Sequence, residues 1–429
     1  MPVTFGVSRR VTPMTTIRTA DHMAIRNSVM RAASVAAAAL TDADSDPEHR
    51  LRALMEGHGR VLTARGPGQP MTFDQFQQLL LGDLAALLPS GVPAEEMDGL
   101  RLIDEDNEFD PDMFDLDVEQ RMVLQALRRA GYRGQTVGVD ALDQELDQTR
   151  AHRQMTSTDS QDDYVAWRSA LIEEPAGSVR DLRMLNLPAT LTEFYQPIPF
   201  DATYDRWWFR CPVCRWPMKI TVHGTNNRRT GQVRCFHRPH VEAGASYEFK
   251  IPAEGSMPHL NPVSTVTPAR GNAAVLACDP KPPTPEPILT DGHKALVRGV
   301  WRCTTIPGLP ELGLFKALSV PHVRDKGVTA HLWPVLDSYD LLVAVPDGNG
   351  GCTEFRVDVK DYTYATLLAD KINADGGDSG GAQWLVVPDS REKSVSMLDA
   401  VCRQYGMRAL TAGDFGAMVC EMVGEQWTS

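Results

Sequence analysis

Lysine is scarce in this chain: nine occur in 429 residues against thirty-four arginines, and none precedes Lys219. That bias suggests a high-GC bacterial source. Long hydrophobic runs are missing too. No apolar stretch approaches the roughly 20 residues of a membrane span, so no association with a bilayer is expected. Arg9-Arg10 has no hydrophobic segment behind it, and the Ala36–Leu40 run is short and amphipathic, which points to a cytoplasmic protein. Eight cysteines over this length are too few for a disulfide framework. Five of them (Cys278, Cys303, Cys352, Cys402 and Cys420) are scattered and are expected to be small buried apolar residues. No internal repeat is present.

Positive charge is short by thirteen, but not evenly. Between Gly91 and Pro175 there are twenty-one acids and eight basic residues, which is the whole deficit. Between Arg206 and Val241 there are eight basic residues and no acid. Such asymmetry assigns different partners to different segments. A chain of this length supports two or three domains.

The pattern along the chain is that of a multidomain α+β protein. Residues 1–20 read as a disordered tail, and 21–195 as an α-helical module without a catalytic constellation. In that module Met23, Ile25, Val29, Met30 and Ala33 share one helical face. Thr72 and Gln75 form a capping box ahead of a helix expected to run to Leu87 before Pro89 ends it. Asp104–Asp117 reads as an acidic loop, Val118–Ala130 as a helix stopped by Gly131, 151–163 as a mobile stretch, and Tyr164–Glu174 as one more helix. Residues 196–252 are β-rich, 253–290 form a proline-rich linker, and 291–429 alternate strands with helices.

Cys211-Pro-Val-Cys214 has the form of a zinc knuckle, and a hairpin turn at Gly224–Asn227 brings Cys235 back to it. Tetrahedral zinc needs four ligands, so Cys211, Cys214 and Cys235 require one histidine; His240 is preferred on spacing, with His237 the alternative. A redox role is weaker, because no thioredoxin-like strand and helix surround the pair. A closed structural Zn²⁺ stabilises a small fold and performs no chemistry. The same ribbon carries Arg206, Arg210, Arg215, Lys219, Arg228, Arg229, Arg234 and Arg238 among Trp207, Trp208 and Trp216, the strongest candidate surface for DNA. The opposing reading is that the tryptophans pack a small core and the arginines cover a solvated face.

Three lysines close an acid-x-lysine triplet: Glu248-Phe-Lys250, Asp279-Pro-Lys281 and Asp358-Val-Lys360. The second lies among prolines, and the first has no acid on a preceding strand. The third follows the apolar strand of Leu341–Val345 and the turn Asp347–Gly351, with Asp340 at the head of that strand. Asp337 could replace Asp340, but it lies before the apolar run. Upstream, Pro310 is expected in the first turn of a helix, which places Glu311 at its N-terminal end. A helix from Tyr364 to about Asn373, a strand at Gln383–Val387, a helix at Ser394–Tyr405 and a strand at Met407–Leu410 complete the order. Two carboxylates beside a lysine suit a hard divalent cation such as Mg²⁺ or Mn²⁺ held against a phosphodiester.

Residues 291–415 thereby resemble the restriction-endonuclease-like PD-(D/E)xK superfamily, an α/β fold. The resemblance implies Asp340 and Asp358 as magnesium ligands, Lys360 as the catalytic lysine and Glu311 as an additional catalytic acid. Tyrosine, not proline, precedes Asp340 here. The whole chain is also similar to the nuclease component of bacterial three-gene conflict islands. That implies a PIWI/Argonaute-like protein and a helicase as partners, antiviral defence as the role, and the acidic helical module as docking surface. A homodimer is compatible with the fold. The competing functions are a catalytically inactive adaptor that binds nucleic acid or protein, and a zinc-containing regulator. The regulator would need a base-reading helix, and none stands out.

Overall fold

The computed structural model describes residues 19–41, 46–94, 97, 100–103, 109, 147–223, 229–253, 255–263, 284–347, 350–362 and 365–427. The expected tail up to residue 18, helix Val118–Ala130, the Gly224–Asn227 turn, Arg228, Cys278 and Tyr364 lie outside them, as does the acidic loop apart from Phe109.

At the N-terminal end α1 (Thr19–Thr41) and α2 (Pro47–Arg65) pack side by side. Ala33, Ala36, Ala37 and Ala39 are fully buried on α1. Their small side chains let the helices meet closely: a Cβ added at Gly57 of α2 would lie 2.9 Å from Ala36 Cβ and 3.0 Å from the Ala32 carbonyl oxygen. Asp46 caps α2 by accepting from the His49 N–H at 3.0 Å. The capping box of α3 (Phe73–Leu80) forms with both of its hydrogen bonds. This helix stops at Leu80 instead of continuing to Leu87. Asp83 accepts from the Ala85 N–H and starts a separate 3₁₀ turn over Leu84–Leu87.

Residues 151–163 are not the mobile stretch their polarity suggests. Residues 147–155 are helical, with Ala151 and Met155 buried, and Ser160 caps α4 (Gln161–Glu173). Short strands follow: β1 (Ala176–Ser178), β2 (Tyr195–Pro197), β3 (Trp207–Phe209), β4 (Lys219–His223), β5 (Thr230–Arg234), β6 (Ser246–Lys250), β7 (Asn261–Pro262), β8 (Pro287–Leu289) and β9 (His293–Leu296). The order β4-β5-β6-β7 is a four-stranded antiparallel sheet, and β5 leads into Cys235. Strand β9 sits between β1 and β2, and β8 pairs with β3. Backbone pairing therefore crosses the boundaries expected at 195/196 and 290/291, and both ends of the proline-rich segment add strands to neighbouring sheets. Strands of two to four residues satisfy few of their own backbone groups, so they draw partners from distant sequence.

The C-terminal part opens with helical turns at Arg298–Val300, a wide π-turn at Trp301–Thr305, and α5 (Ile306–Leu318). Pro310 thus lies inside a helix rather than at its start, and Glu311 sits mid-helix. Pro307 is the residue in the first turn of α5, directly after the π-turn, and like Pro310 it has no N–H to donate. Then come β10 (Thr329–Leu332), β11 (Leu341–Pro346), β12 (Cys352–Val359), α6 (Ala365–Ala374), β13 (Trp384–Val387), α7 (Glu392–Cys402), β14 (Arg408–Thr411) and α8 (Ala412–Met422). The sheet runs β10-β11-β12-β13-β14, antiparallel across the first three strands and parallel across the last three. Alternate residues face opposite sides. Val386 joins the core shared with α5, α8 and the ribbon. Leu385 and Val387 join the core shared with α6, α7 and the N-terminal helices. Of the scattered cysteines, Cys402 and Cys420 are buried as expected; Cys303 is half-buried and Cys352 is exposed on the outer end of the β11–β12 hairpin.

Candidate active site

The register Leu341↔Val357 sets Asp340, one residue before β11, beside Asp358 near the end of β12. The Asp340 N–H donates to the Val357 carbonyl at 3.0 Å, and its own carbonyl accepts from the Trp333 N–H at 2.8 Å. Lys360 lies one residue past β12, held by its N–H to the Val386 carbonyl at 2.9 Å. Its Nζ donates to Asp358 Oδ1 at 2.5 Å and to Asp340 Oδ2 at 3.3 Å. Asp340 Oδ2 also accepts from the Val359 N–H at 2.6 Å. These groups open into a cleft of about 380 Å³, rimmed by Lys371, Asp375 and Asp378. Three of the expected catalytic residues are therefore in mutual contact.

Their environments set their protonation. Burial pushes Asp358 up to about 7; Asp340 adds to the rise, and Lys360 opposes it. Burial also acts to raise Asp340, yet Lys360, Arg168 and the Val359 N–H together hold it below its ordinary value. Lys360 is raised well above the ordinary lysine value: burial disfavours its charge, but the two carboxylates outweigh that. The lysine is thus a cation at neutral pH. Two buried carboxylates close enough to hydrogen-bond each other form a hard-oxygen donor set whose mutual repulsion a divalent ion relieves, so the residues fit Mg²⁺ or Mn²⁺.

Glu311 reaches the same cleft from α5, but it is 2% exposed and already partnered. Arg168 of α4 donates to Glu311 Oε2 at 2.9 Å and Oε1 at 3.2 Å, and Trp333 Nε1 donates to Oε2 at 2.5 Å. Arg168 also pairs with Asp337 and donates to the Tyr164 hydroxyl at 3.0 Å. Its guanidinium lies 4.6 Å from the centre of the Trp333 ring. Asp337 therefore belongs to this cluster, and Asp340 is the acid beside Lys360. Burial raises Glu311 well above the usual carboxylate range; Arg168 opposes this, and Asp340 adds to it.

Between β10 and β11 the chain passes through an unusual turn. Trp333, Val335, Leu336 and Asp337 have φ values of 46°, 54°, 50° and 75°. Non-glycine residues in that region cost about 1–3 kcal/mol each. The surroundings hold the turn in place. Gln161 Nε2 donates to the Trp333 carbonyl at 2.8 Å, and the Leu336 N–H donates to Gln161 Oε1 at 2.9 Å. Gln161, Tyr164 and Arg168 share one face of α4 by their spacing of three and four. Sequence reading missed Arg168. The available signal was an arginine on the stripe that also carries Tyr164, Leu171 and Ile172, where a buried charge demands a partner.

The expected zinc residues also converge. Cys211, Cys214, Cys235 and His240 are all buried, with donor atoms within 4.8 Å of one another. Cys214 Sγ lies 3.8 Å from Cys235 Sγ, and His240 Nδ1 lies 3.4 Å from Cys235 Sγ and 3.9 Å from Cys211 Sγ. A tetrahedral ion with bonds of about 2.3 Å to sulfur separates its ligands by about 3.5–3.8 Å, so the set fits Zn²⁺. His237 is outside the ligand set; its ring packs edge-on against His240 at 4.5 Å. Three basic residues of this region are already paired. Arg210 and Arg215 both pair with Glu174, just after α4, at 3.6 and 2.8 Å. Arg238 pairs with Glu242 at 2.8 Å. Trp208 and Trp216 are core residues, and Trp216 stacks on Trp301 with ring centres 4.4 Å apart. Trp207 is only half-buried, with Arg206 over its ring at 5.5 Å, and Arg229 is exposed.

Residues 308–427 match the family model described as "REase associating with pPIWI_RE". The match begins three residues before Glu311 and ends after α8, so it takes in the whole five-stranded sheet but neither α4 nor the zinc ribbon. No curated protein and no solved structure matches the chain.

Proposed function

We propose that this protein is a divalent-metal-dependent endodeoxyribonuclease that acts as a defence effector beside a PIWI-like partner. The observation that carries this reading is Lys360 Nζ between the carboxylates of Asp340 and Asp358, at the rim of an open cleft, within the segment that matches the restriction-endonuclease family. Asp340 and Asp358 would hold Mg²⁺ or Mn²⁺. When bound, that ion polarises the scissile phosphate and acidifies a coordinated water. Lys360 is charged, so its task is to orient the attacking water and to offset charge growing on the phosphate, not to remove a proton. The Val359 N–H restricts rotation of the Asp340 carboxylate, which would present it to the ion in one orientation.

The matching family's description names association with a PIWI-type protein, which supports such a partner here; a helicase would complete the set. The acidic α-helical module is the proposed docking surface. Arg206 and Arg229, together with Lys219 and Arg234 on the ribbon strands, are the proposed contacts to DNA. An excess of thirteen negative charges disfavours unaided binding to a polyanion. The enzyme would be brought to its substrate.

The test incubates full-length protein with plasmid and single-stranded DNA in Mg²⁺ or Mn²⁺, alone and with the PIWI-like partner, alongside Asp358→Ala and Lys360→Ala. Cleavage by the wild type and by neither variant is expected, and it should be stronger with the partner present. DNA left equally intact by all three proteins, partner present, rules the reading out.

A further inference from the structure

Arg168 lies outside the family-matched segment, yet it is buried at the floor of the candidate cleft. Four contacts converge on it: Glu311 on α5, Asp337 and Trp333 in the left-handed turn, and Tyr164 one turn earlier on its own helix. The turn leads directly to a metal-binding carboxylate, because the Trp333 N–H donates to the Asp340 carbonyl at 2.8 Å. Gln161 grips the same turn with two hydrogen bonds and no charge. Of the four left-handed residues only Asp337 is of a type that tolerates that region; tryptophan, valine and leucine all disfavour it. The conformation has to be imposed from outside, and α4 supplies the side chains that do so.

We propose that Arg168 is a positioning residue: from α4 it locks the Trp333–Asp337 turn and Glu311, and thereby sets Asp340 for metal binding. The nuclease site is then a composite. The segment that matches the family carries the carboxylates and the lysine, and the helix before the zinc ribbon holds them in register. Glu311 has an anchoring task, since both of its oxygens accept from Arg168 and one also accepts from Trp333. This inference rests on the metal-site reading above, and its readout is metal affinity rather than cleavage.

The experiment measures Mn²⁺ affinity of the full-length protein by calorimetry, with Asp358→Ala defining the site, for wild type, Arg168→Met, Arg168→Lys, Gln161→Ala and Glu173→Gln. Removing an outer partner of a metal ligand typically weakens binding about 10–100-fold. Arg168→Met is expected in that range. Arg168→Lys should fall between it and wild type, because one ammonium cannot serve two carboxylates and stack on a ring. Gln161→Ala should weaken binding in the same direction without changing any charge, and it carries the test if Arg168→Met does not fold. Glu173→Gln breaks the 2.6 Å pair between α4 and Lys316 of α5 away from the cleft, and should leave affinity unchanged. Wild-type affinity in folded Arg168→Met or in Gln161→Ala overturns the proposal. So does an equal loss in Glu173→Gln, which would reveal only general loosening of α4. Wild type with an Asp358-dependent Mn²⁺ site but no cleavage sinks the nuclease reading alone, and the affinities still decide the role of Arg168. Wild type without such a site overturns both.

Discussion

Asp358→Asn should make the metal-free protein more stable while removing its function. In the wild type, Asp340, Asp358 and Lys360 carry two potential negative charges and one positive within one buried site. Burial, together with Asp340, moves Asp358 from an ordinary value of 3.8 up to about 7. The sign follows from proton uptake. The folded site binds a proton near pH 7 that the unfolded chain binds only near 3.8. Stability from this group is therefore full below about pH 4 and is lost as pH rises to about 7. A shift of roughly three units corresponds to about 4 kcal/mol. The opposite displacement of Asp340 returns part of that, so the gain stays below about 4 kcal/mol. Asparagine keeps the shape, and Lys360 keeps Asp340 as its partner, so the site becomes a neutral pair. In a cooperative unit of 150–250 residues each kcal/mol is worth about 2–4 °C in Tm. The assay is calorimetric or fluorescence melting at pH 5 and pH 8 in Mg²⁺-free buffer without chelator, so that bound zinc stays in place. The variant should exceed wild type at pH 8 and lose its advantage towards pH 5. Added Mg²⁺ should raise the wild-type Tm and leave the variant unmoved. A variant less stable than wild type at pH 8 would refute the electrostatic argument.

Lys360→Met should lower the cleavage rate by about 10²–10³, the usual loss for one charge-stabilising group, with Mn²⁺ affinity equal to or tighter than wild type; a parallel collapse of affinity would make the lysine a structural part of the site. The protein should carry one zinc per chain by elemental analysis, and Cys235→Ser should lose it together with the near-ultraviolet signal of the stacked Trp216–Trp301 pair; zinc retained at wild-type stoichiometry would contradict the ligand set. Gly57→Val should destabilise the N-terminal helix pair by about 1–3 kcal/mol, because its Cβ would already meet Ala36 and Ala32 at 3.0 Å or less; an unchanged melting profile would mean that α1 and α2 do not pack as described.

The C-terminal site was legible because its signals are local. An apolar run marks β11, a short turn returns the chain, and period-two alternation sends Asp358 and Lys360 to one side of β12. The zinc set was legible for the same reason: two cysteines three apart and a later Cys-x₄-His offer few other uses. Helix starts were legible where a side chain makes the cap, as at Thr72. They failed where backbone geometry decided. The π-turn at Trp301–Thr305 lets the helix begin before Pro310, and no residue type announces a π-turn. The ribbon arginines show the converse limit. Composition counted eight positive charges, but Arg210 and Arg215 are engaged with Glu174, a partner that only folding supplies.

The residues that converge thus lay in the sequence: Asp340 and Asp358, with Lys360 beside them, at the proposed hard-cation site, and Cys211, Cys214, Cys235 and His240 at the candidate zinc site. Donor chemistry belongs to residue type and short spacing, and both are local. What holds those groups was decided only by tertiary structure. Arg168 stands 143 positions from Glu311 and 169 from Asp337, and the left-handed turn it grips has no glycine to betray it. A buried charge finds its partner through packing of whole helices, so nothing at such separations is written in spacing. That is why the sequence reads as separable modules, while the fold brings a helix from outside the matched segment into the candidate active site.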